Sequence, residues 1–318
     1  MMWRPIVFFA LFATALAAPR AFAADPVFPT GSLIGFVPPP GFAVSKRFPG
    51  FENAETASSI MVFALPTQAF AEVESTMTPE AVKQHGIAED KREILTLPNG
   101  RALLVAGMED DNGRKVRRMM FLGLIPEGTA LAAVAVPDAG RTTYSDEVIR
   151  ASLLTLAVRA TVPMEEQLSL VPFKLTELSG LRPVRVLGNN GVLLTGGPKD
   201  APDPGEQPVF IVSIATGGPE QPDGRANFAR NLFTGLGDFK DVRILSGDML
   251  RLGGGQAPTH ELQAEAKDGK TDAAMKLVQW VRFGPGFVVR MVGVARADQW
   301  TKAFTQFRAV RDGVAGRE

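Results

Sequence analysis

The chain has 318 residues, of which 45% are hydrophobic and 21% charged, a globular composition with apolar material for about two cores of ordinary size. Lys+Arg and Asp+Glu are each 34, so the basic excess by which nucleic-acid binders hold phosphates is missing. There are no cysteines, which excludes disulfides, thiolate metal sites, cysteine nucleophiles and a lipidated N-terminal cysteine.

The first 23 residues read as a secretory signal peptide. Arg4 supplies a positive start, and Ile6 to Ala18 is an apolar run too short for a comfortable membrane span. Ala21-Phe22-Ala23 fits the small-x-small cleavage pattern, so cleavage is expected after Ala23, with an uncleaved N-terminal anchor as the alternative. Loss of Arg4 and Arg20 takes Lys+Arg from 34 to 32 against 34 acids, leaving the mature chain slightly acidic. No second long apolar stretch follows, so a mature protein without a membrane span is expected, in a bacterial periplasm.

In chain order, Ser59 to Leu65 (SIMVFAL) predicts a strand. Thr78 followed by Pro79 has the N-cap and first-turn chemistry of a helix. Lys91 to Leu97, Arg101 to Met108, Arg114 to Gly123 and Thr129 to Val136 read as consecutive strands. They are punctuated by Pro98-Asn99-Gly100, Asp111-Asn112-Gly113 and Pro126-Glu127-Gly128. A helix from about Ser145 to Val158 closes this half, with Val148, Ile149, Leu153, Leu156 and Ala157 on one face.

The same order recurs downstream. Val209 to Ala215 is a strand, and a helix starts at Asp223 or Gly224 and runs to about Leu236. Val242 to Ser246 and Asp248 to Leu252 read as a hairpin around Ser246-Gly247. Thr259 to Ala266, Thr271 to Phe283 and Phe287 to Ala295 continue the meander through turns at Lys267-Asp268-Gly269 and Pro285-Gly286. A last helix spans about Asp298 to Val310, with Trp300, Phe304, Phe307 and Val310 at helical spacing. Arg159 to Pro172 is the expected junction, and Gly196 to Pro208 a polar loop inside the second half. The expected organisation is a signal peptide (1–23), a first α+β domain (24–162) and a second (163–318). Each domain is an antiparallel meander packed by helices, an α/β/α sandwich.

The two meanders, Lys91 to Val136 and Val242 to Ala295, with their closing helices, resemble in element order the Mog1/PsbP-like fold as a tandem pair covering most of the mature chain. The resemblance implies company with accessory and binding proteins: a photosystem-associated lumenal subunit, a small-GTPase-binding protein and bacterial envelope proteins. No functional motif of those families is matched residue by residue, so no site is carried over, and fold alone does not give function.

Sites of chemistry are sparse. Of the two histidines, His260 opens a His-Glu pair like the start of H-E-x-x-H, but Ala264 stands where the second histidine belongs and the segment reads as a strand. His85 sits before Gly86 at a helix end, where partial positive charge suits the dipole. No G-x-S-x-G elbow occurs. Glu109 to Gly113 reads as a solvated hairpin tip, since the ligand spacing of a calcium loop is absent. Glu165-Glu166 reads as solvated linker charge. Leu194 to Gly197 and Gly253-Gly254-Gly255 fit no phosphate-binding pattern and read as loops or bulges. Arg114, Lys115, Arg117 and Arg118 form the densest basic cluster. They are the candidate contact for an anionic partner, or else charges guarding an edge strand. On a strand, Arg114 and Arg118 share one face, Lys115 and Arg117 the other.

These readings point to a non-enzymatic, exported accessory or binding protein that engages another envelope protein, with no cofactor and no nucleic acid. Two alternatives stand beside it: a small-molecule or lipid carrier, and a hydrolase with an unfamiliar carboxylate site.

Overall fold

The computed structural model describes residues 25–317 except 99, 112, 238 and 253–256. The expected signal peptide and its cleavage site therefore lie outside the described residues. Cα packing divides the chain into two compact units, one of residues 25–28, 34–45 and 51–158, the other of residues 29–33, 46–50 and 159–317.

The first unit runs β1 (Ile34–Gly35), β2 (Ala43–Val44), β3 (Gly50–Asn53), β4 (Ser58–Leu65), α1 (Ala69–Thr76), α2 (Pro79–Gln84), β5 (Ile87–Leu97), β6 (Gly100–Asp111), β7 (Arg114–Ile125), β8 (Gly128–Pro137), α3 (Asp146–Leu153) and β9 (Ala157–Val158). The second runs α4 (Met164–Leu170), β10 (Phe173–Leu175), β11 (Arg182–Leu187), β12 (Gly191–Thr195), β13 (Val209–Thr216), α5 (Pro222–Thr234), β14 (Phe239–Leu252), β15 (Ala257–Asp268), β16 (Ala274–Gly284), β17 (Phe287–Arg296), α6 (Trp300–Asp312) and β18 (Val314–Gly316).

Each unit is built on a seven-stranded antiparallel sheet, ordered β2-β3-β4-β8-β7-β6-β5 in the first and β11-β12-β13-β17-β16-β15-β14 in the second. The permutation is the same. Three strands are laid down, a helical crossover carries the chain to the far edge, and four meander strands return until the last pairs with the third. The two domains are thus similar α+β sandwiches of the kind the element order predicts.

Both faces of each sheet are covered, and period-2 alternation sorts the side chains between them. In β6, Ala102, Leu104 and Ala106 join Phe121, Ile149 and Leu153 under α3. The intervening Leu103 and Val105 join Phe70, Met77 and Val82 of the α1–α2 side. In β16, Val278 and Trp280 pack with Phe307 and Val310 of α6. Leu277, Val281 and Phe283 pack with Ala229 and Phe233 of α5. Thr78 caps α2 by accepting the Ala81 amide at 3.2 Å, as its position before Pro79 predicts.

Three expectations are corrected. Ser246-Gly247 is no turn: β14 runs straight through it, bulged between Lys240 and Arg243 and between Ile244 and Ser246. A Cβ at Gly247 would come within 2.9 Å of Leu262 Cδ2, so this glycine serves a close cross-strand approach. The closing helix of the first unit ends at Leu153, short of Val158. There Thr155 donates its hydroxyl to the Ser152 carbonyl and accepts the Val37 amide, turning the chain into β9 beside β1. The Arg159–Pro172 junction contains a helix, α4; Leu194 and Thr195, expected in a loop or bulge, close strand β12, and β2, β3, β10 and β11 form where the sequence pattern gives no strand.

Two polar side chains sit within the apolar face under α5. Fully buried Gln279 donates to the Ala229 carbonyl at 2.8 Å and accepts from Arg290 Nε at 2.9 Å. Arg290 also donates to the Leu232 carbonyl at 2.7 Å, so both tie the sheet to the helix. Removing one partner strands the other's buried polar atoms, which costs about 2 kcal/mol, whereas replacing both with apolar groups is far milder. Denaturant melts are therefore expected to show Arg290→Met destabilised by about 2 kcal/mol, and Q279M/R290M less destabilised than the sum of its single variants.

Candidate functional site

The basic cluster lies on β7, which is interior to its sheet; β5 is the edge on that side. Edge protection therefore does not explain these charges. Alternation divides the four. Arg117 faces α3 and is largely buried. It grips Asp146 with Nε–Oδ1 at 2.9 Å and Nη2–Oδ2 at 2.6 Å, and donates Nη1 to Asp90. The hydrogen bonds it donates to Asp146 raise the Arg117 pKa, and the same guanidinium holds the Asp146 carboxyl below its ordinary value against the opposing effect of burial. Asp146 is also the first residue of α3, where a carboxylate suits the helix dipole. Arg118 is turned to the other face and donates to Glu109. Arg114 and Lys115 are exposed at the β6–β7 tip, where Asp110 accepts the Gly113 amide at 2.7 Å. A cleft of about 480 Å³ beside Arg117 is lined by Asp90, Lys91, Arg141, Tyr144, Asp146 and Glu147 among others, both signs of charge side by side.

Other singled-out residues take structural places. Glu166 is not solvated linker charge: Arg159 holds both its oxygens at 2.8 and 2.6 Å, and the Gly31 amide donates to it at 2.9 Å. Arg159 accordingly lowers the Glu166 pKa. His85 caps the end of α2. In the Gly196-Gly197 run, a Cβ at Gly197 would lie 2.2 Å from Gln207 Oε1, so this glycine makes room for the buried Gln207–Thr195 hydrogen bond. The Gly253–Gly255 run lies outside the described residues. Among the described residues no cluster of three or more His, Asp or Glu could hold a metal ion.

A second cleft, of about 670 Å³, lies in the second unit where two glycine-proline turns meet, with the Gly217 amide donating to the Gly286 carbonyl at 2.8 Å. Phe283 and Phe287 line it, with Arg225 of α5. The Arg225 guanidinium lies 5.2 Å from the Phe283 ring centroid. One of its nitrogens reaches the Glu220 carbonyl at 3.3 Å, while Nε is buried without a partner. His260 meets Phe283 edge-on, with ring centroids 6.3 Å apart. The sequence offered no motif for this site. Its signal was the pair of phenylalanines flanking Gly284-Pro285-Gly286, which read only as a strand turn.

No protein-family model matches the chain, and no curated protein matches it in sequence. Among solved structures, LpqN, involved in cell envelope biogenesis of Mycobacterium tuberculosis, is 16% identical with a TM-score of 0.35 and covers 45% of this chain and 82% of its own. Cyanobacterial PsbP from Synechocystis sp. PCC 6803 is 12% identical with a TM-score of 0.29, covering 44% and 94%. The Pseudomonas aeruginosa type VI immunity protein TplEi, solved with a peptide, is 9% identical with a TM-score of 0.30, covering 92% and 98%. The PsbP resemblance is met among these distant likenesses, and the fold itself rests on strand order. No helix of the described residues is long and apolar enough to cross a membrane.

Burial, and then the Arg225 charge, hold the His260 pKa below 6.5. Charging it costs the folded state more than the unfolded, so its contribution to stability is full above the unfolded value and is lost as pH falls from there through the folded value. Carboxyl shifts here are downward, so they act at lower pH. Between about pH 7 and about pH 5, the melting temperature of His260→Gln is expected to fall less than that of the unaltered protein.

Proposed function

We propose that this protein is a non-catalytic accessory protein, exported to the bacterial envelope, that acts by binding another envelope protein. The observation that carries this reading is the use of its carboxylates. Arg117 holds Asp146, Arg150 holds Glu93 at 2.6 Å, and Arg159 holds Glu166. Every described carboxyl with a displaced pKa is displaced downward, by arginine, lysine, hydroxyl or backbone N–H. A carboxylic acid that donates protons at neutral pH needs the opposite shift. Two of the pairs, Arg117–Asp146 and Arg150–Glu93, hold a strand to α3, and no carboxyl raised toward neutral pH, as a general acid requires, is found among the described residues.

Export is supported by the arginine, apolar run and Ala21-Phe22-Ala23 of the N-terminal sequence. Of the four basic residues, Arg114 and Lys115 are the pair exposed at a hairpin tip, and they are our candidates for contact with an acidic partner surface. The small-molecule carrier reading has one observation of its own, the 670 Å³ cleft of the second unit.

The test is affinity capture of the tagged full chain from cross-linked envelopes of its own host. One envelope protein is expected in stoichiometric amount, and its recovery is expected to fall in an R114E/K115E variant of unchanged melting temperature. Recovery no different from a tagged control overturns the reading.

A further inference from the structure

The cleft of the second unit has a composition that contact with a protein partner does not require. At about 670 Å³ it is of the size that encloses a small molecule. One wall is apolar and aromatic, from Phe283 and Phe287. The two turns beside it are bare backbone: a Cβ at Gly217 or Gly286 would meet nothing within 4 Å, so open space lies over both. Their φ angles of +89° and +72° keep larger residues out of these positions.

Arg225 supplies the charge. Among the described residues two other arginines have a buried nitrogen without a partner, but each makes two further hydrogen bonds. Arg182 donates to Asp200 and the Gly197 carbonyl, and Arg282 to the carbonyls of Val314 and Arg311. Arg225 has a single 3.3 Å contact to the Glu220 carbonyl, and no carboxylate among the described ion pairs answers its charge. Its guanidinium is oriented by Phe283, its Nε is buried, and its one hydrogen bond among the described residues is the long one from Nη2, which leaves the Nη edge to meet a ligand. A planar fork of donors in that condition matches an oxyanion. Glu220, the one acid among the described lining residues, is exposed, so water screens it. His260 packs on Phe283 without lining the cleft, fixing the ring from behind.

We propose that this cleft binds a small organic anion with a flat apolar body, its oxyanion on Arg225 and its body against Phe283 and Phe287. The proposal goes beyond partner binding at the β6–β7 tip, and its failure leaves that reading untouched.

The test is isothermal titration of the full chain with 2-naphthoate as probe. One site is expected, with a dissociation constant on the order of 100 μM. Arg225→Met keeps the aliphatic stem over Phe283 and removes the donors. It is expected to weaken 2-naphthoate at least about tenfold, with Arg225→Lys between the two. Neutral 2-naphthylmethanol is expected to bind at least about tenfold more weakly than 2-naphthoate, and acetate not to compete at matched concentration. Phe287→Leu supplies a second variant, expected to weaken the probe while leaving Arg225 in place. The proposal is overturned by no 2-naphthoate binding up to about 5 mM. Equal affinity in Arg225→Met, with its melting temperature unchanged, overturns it as well.

Discussion

A sheet covered by helices on both faces leaves its central strands no solvent side, and that constraint governs most of what is seen in both units. Successive residues of β6, β7, β16 and β17 enter alternate cores, so these strands read as nearly continuous apolar runs. Any polar side chain among them must be matched in place. Arg117 meets Asp146 and Asp90; Gln279 and Arg290 meet each other and two carbonyls of α5. On the α6 face, the Trp280 indole donates to Glu261 at 2.6 Å, Gln263 donates to its other oxygen at 2.7 Å, and buried Arg311 lies 4.9 Å from the Trp280 ring centroid. Apart from Gln263–Glu261, which lies within β15, each is a polar link from strand to strand or from strand to helix.

The same constraint separates what holds the fold from what is free to act. Several charges along the strands are met by neighbours on the next strand or helix, as in Arg117–Asp146, Glu93–Arg150 and Arg243–Glu265. Cations lie at the turn ends: exposed Arg114 and Lys115 in the last two β6–β7 pairs, opposite Asp111 and Asp110, and Arg225 beside the Gly284-Pro285-Gly286 turn. Both proposed contacts accordingly lie at strand ends, where loops rather than ladders set the surface.

Much of the architecture was legible in the sequence because the turns are chemically explicit. Pro126-Glu127-Gly128 and Pro285-Gly286 mark the β7–β8 and β16–β17 hairpins, and the apolar runs between turns are long enough to be strands. Gly247 misled because a glycine beside serine signals a turn locally, whereas its role is set by Leu262 on the neighbouring strand. β2, β3 and β10–β12 are short, and β11 carries Pro183 at a register shift, so neither period nor propensity announces them. The basic cluster was visible as composition. That Arg117 is spent on Asp90 and Asp146, 27 and 29 residues away, is a tertiary fact no local pattern contains. Arg225 was silent for the same reason, since its significance is that no carboxylate among the described ion pairs meets it.

The claim on which the functional account turns is that the carboxylates of the first unit are bound as structural anions. Asp146 decides it most directly, because it lines the polar cleft and lies against a largely buried arginine. Its side-chain carboxyl carbon, followed by NMR through an acid titration, is expected to titrate below the ordinary aspartate value and to move up toward it in Arg117→Met. A midpoint above the ordinary value, unaffected by Arg117→Met, would contradict the account and make Asp146 a proton donor in search of a substrate.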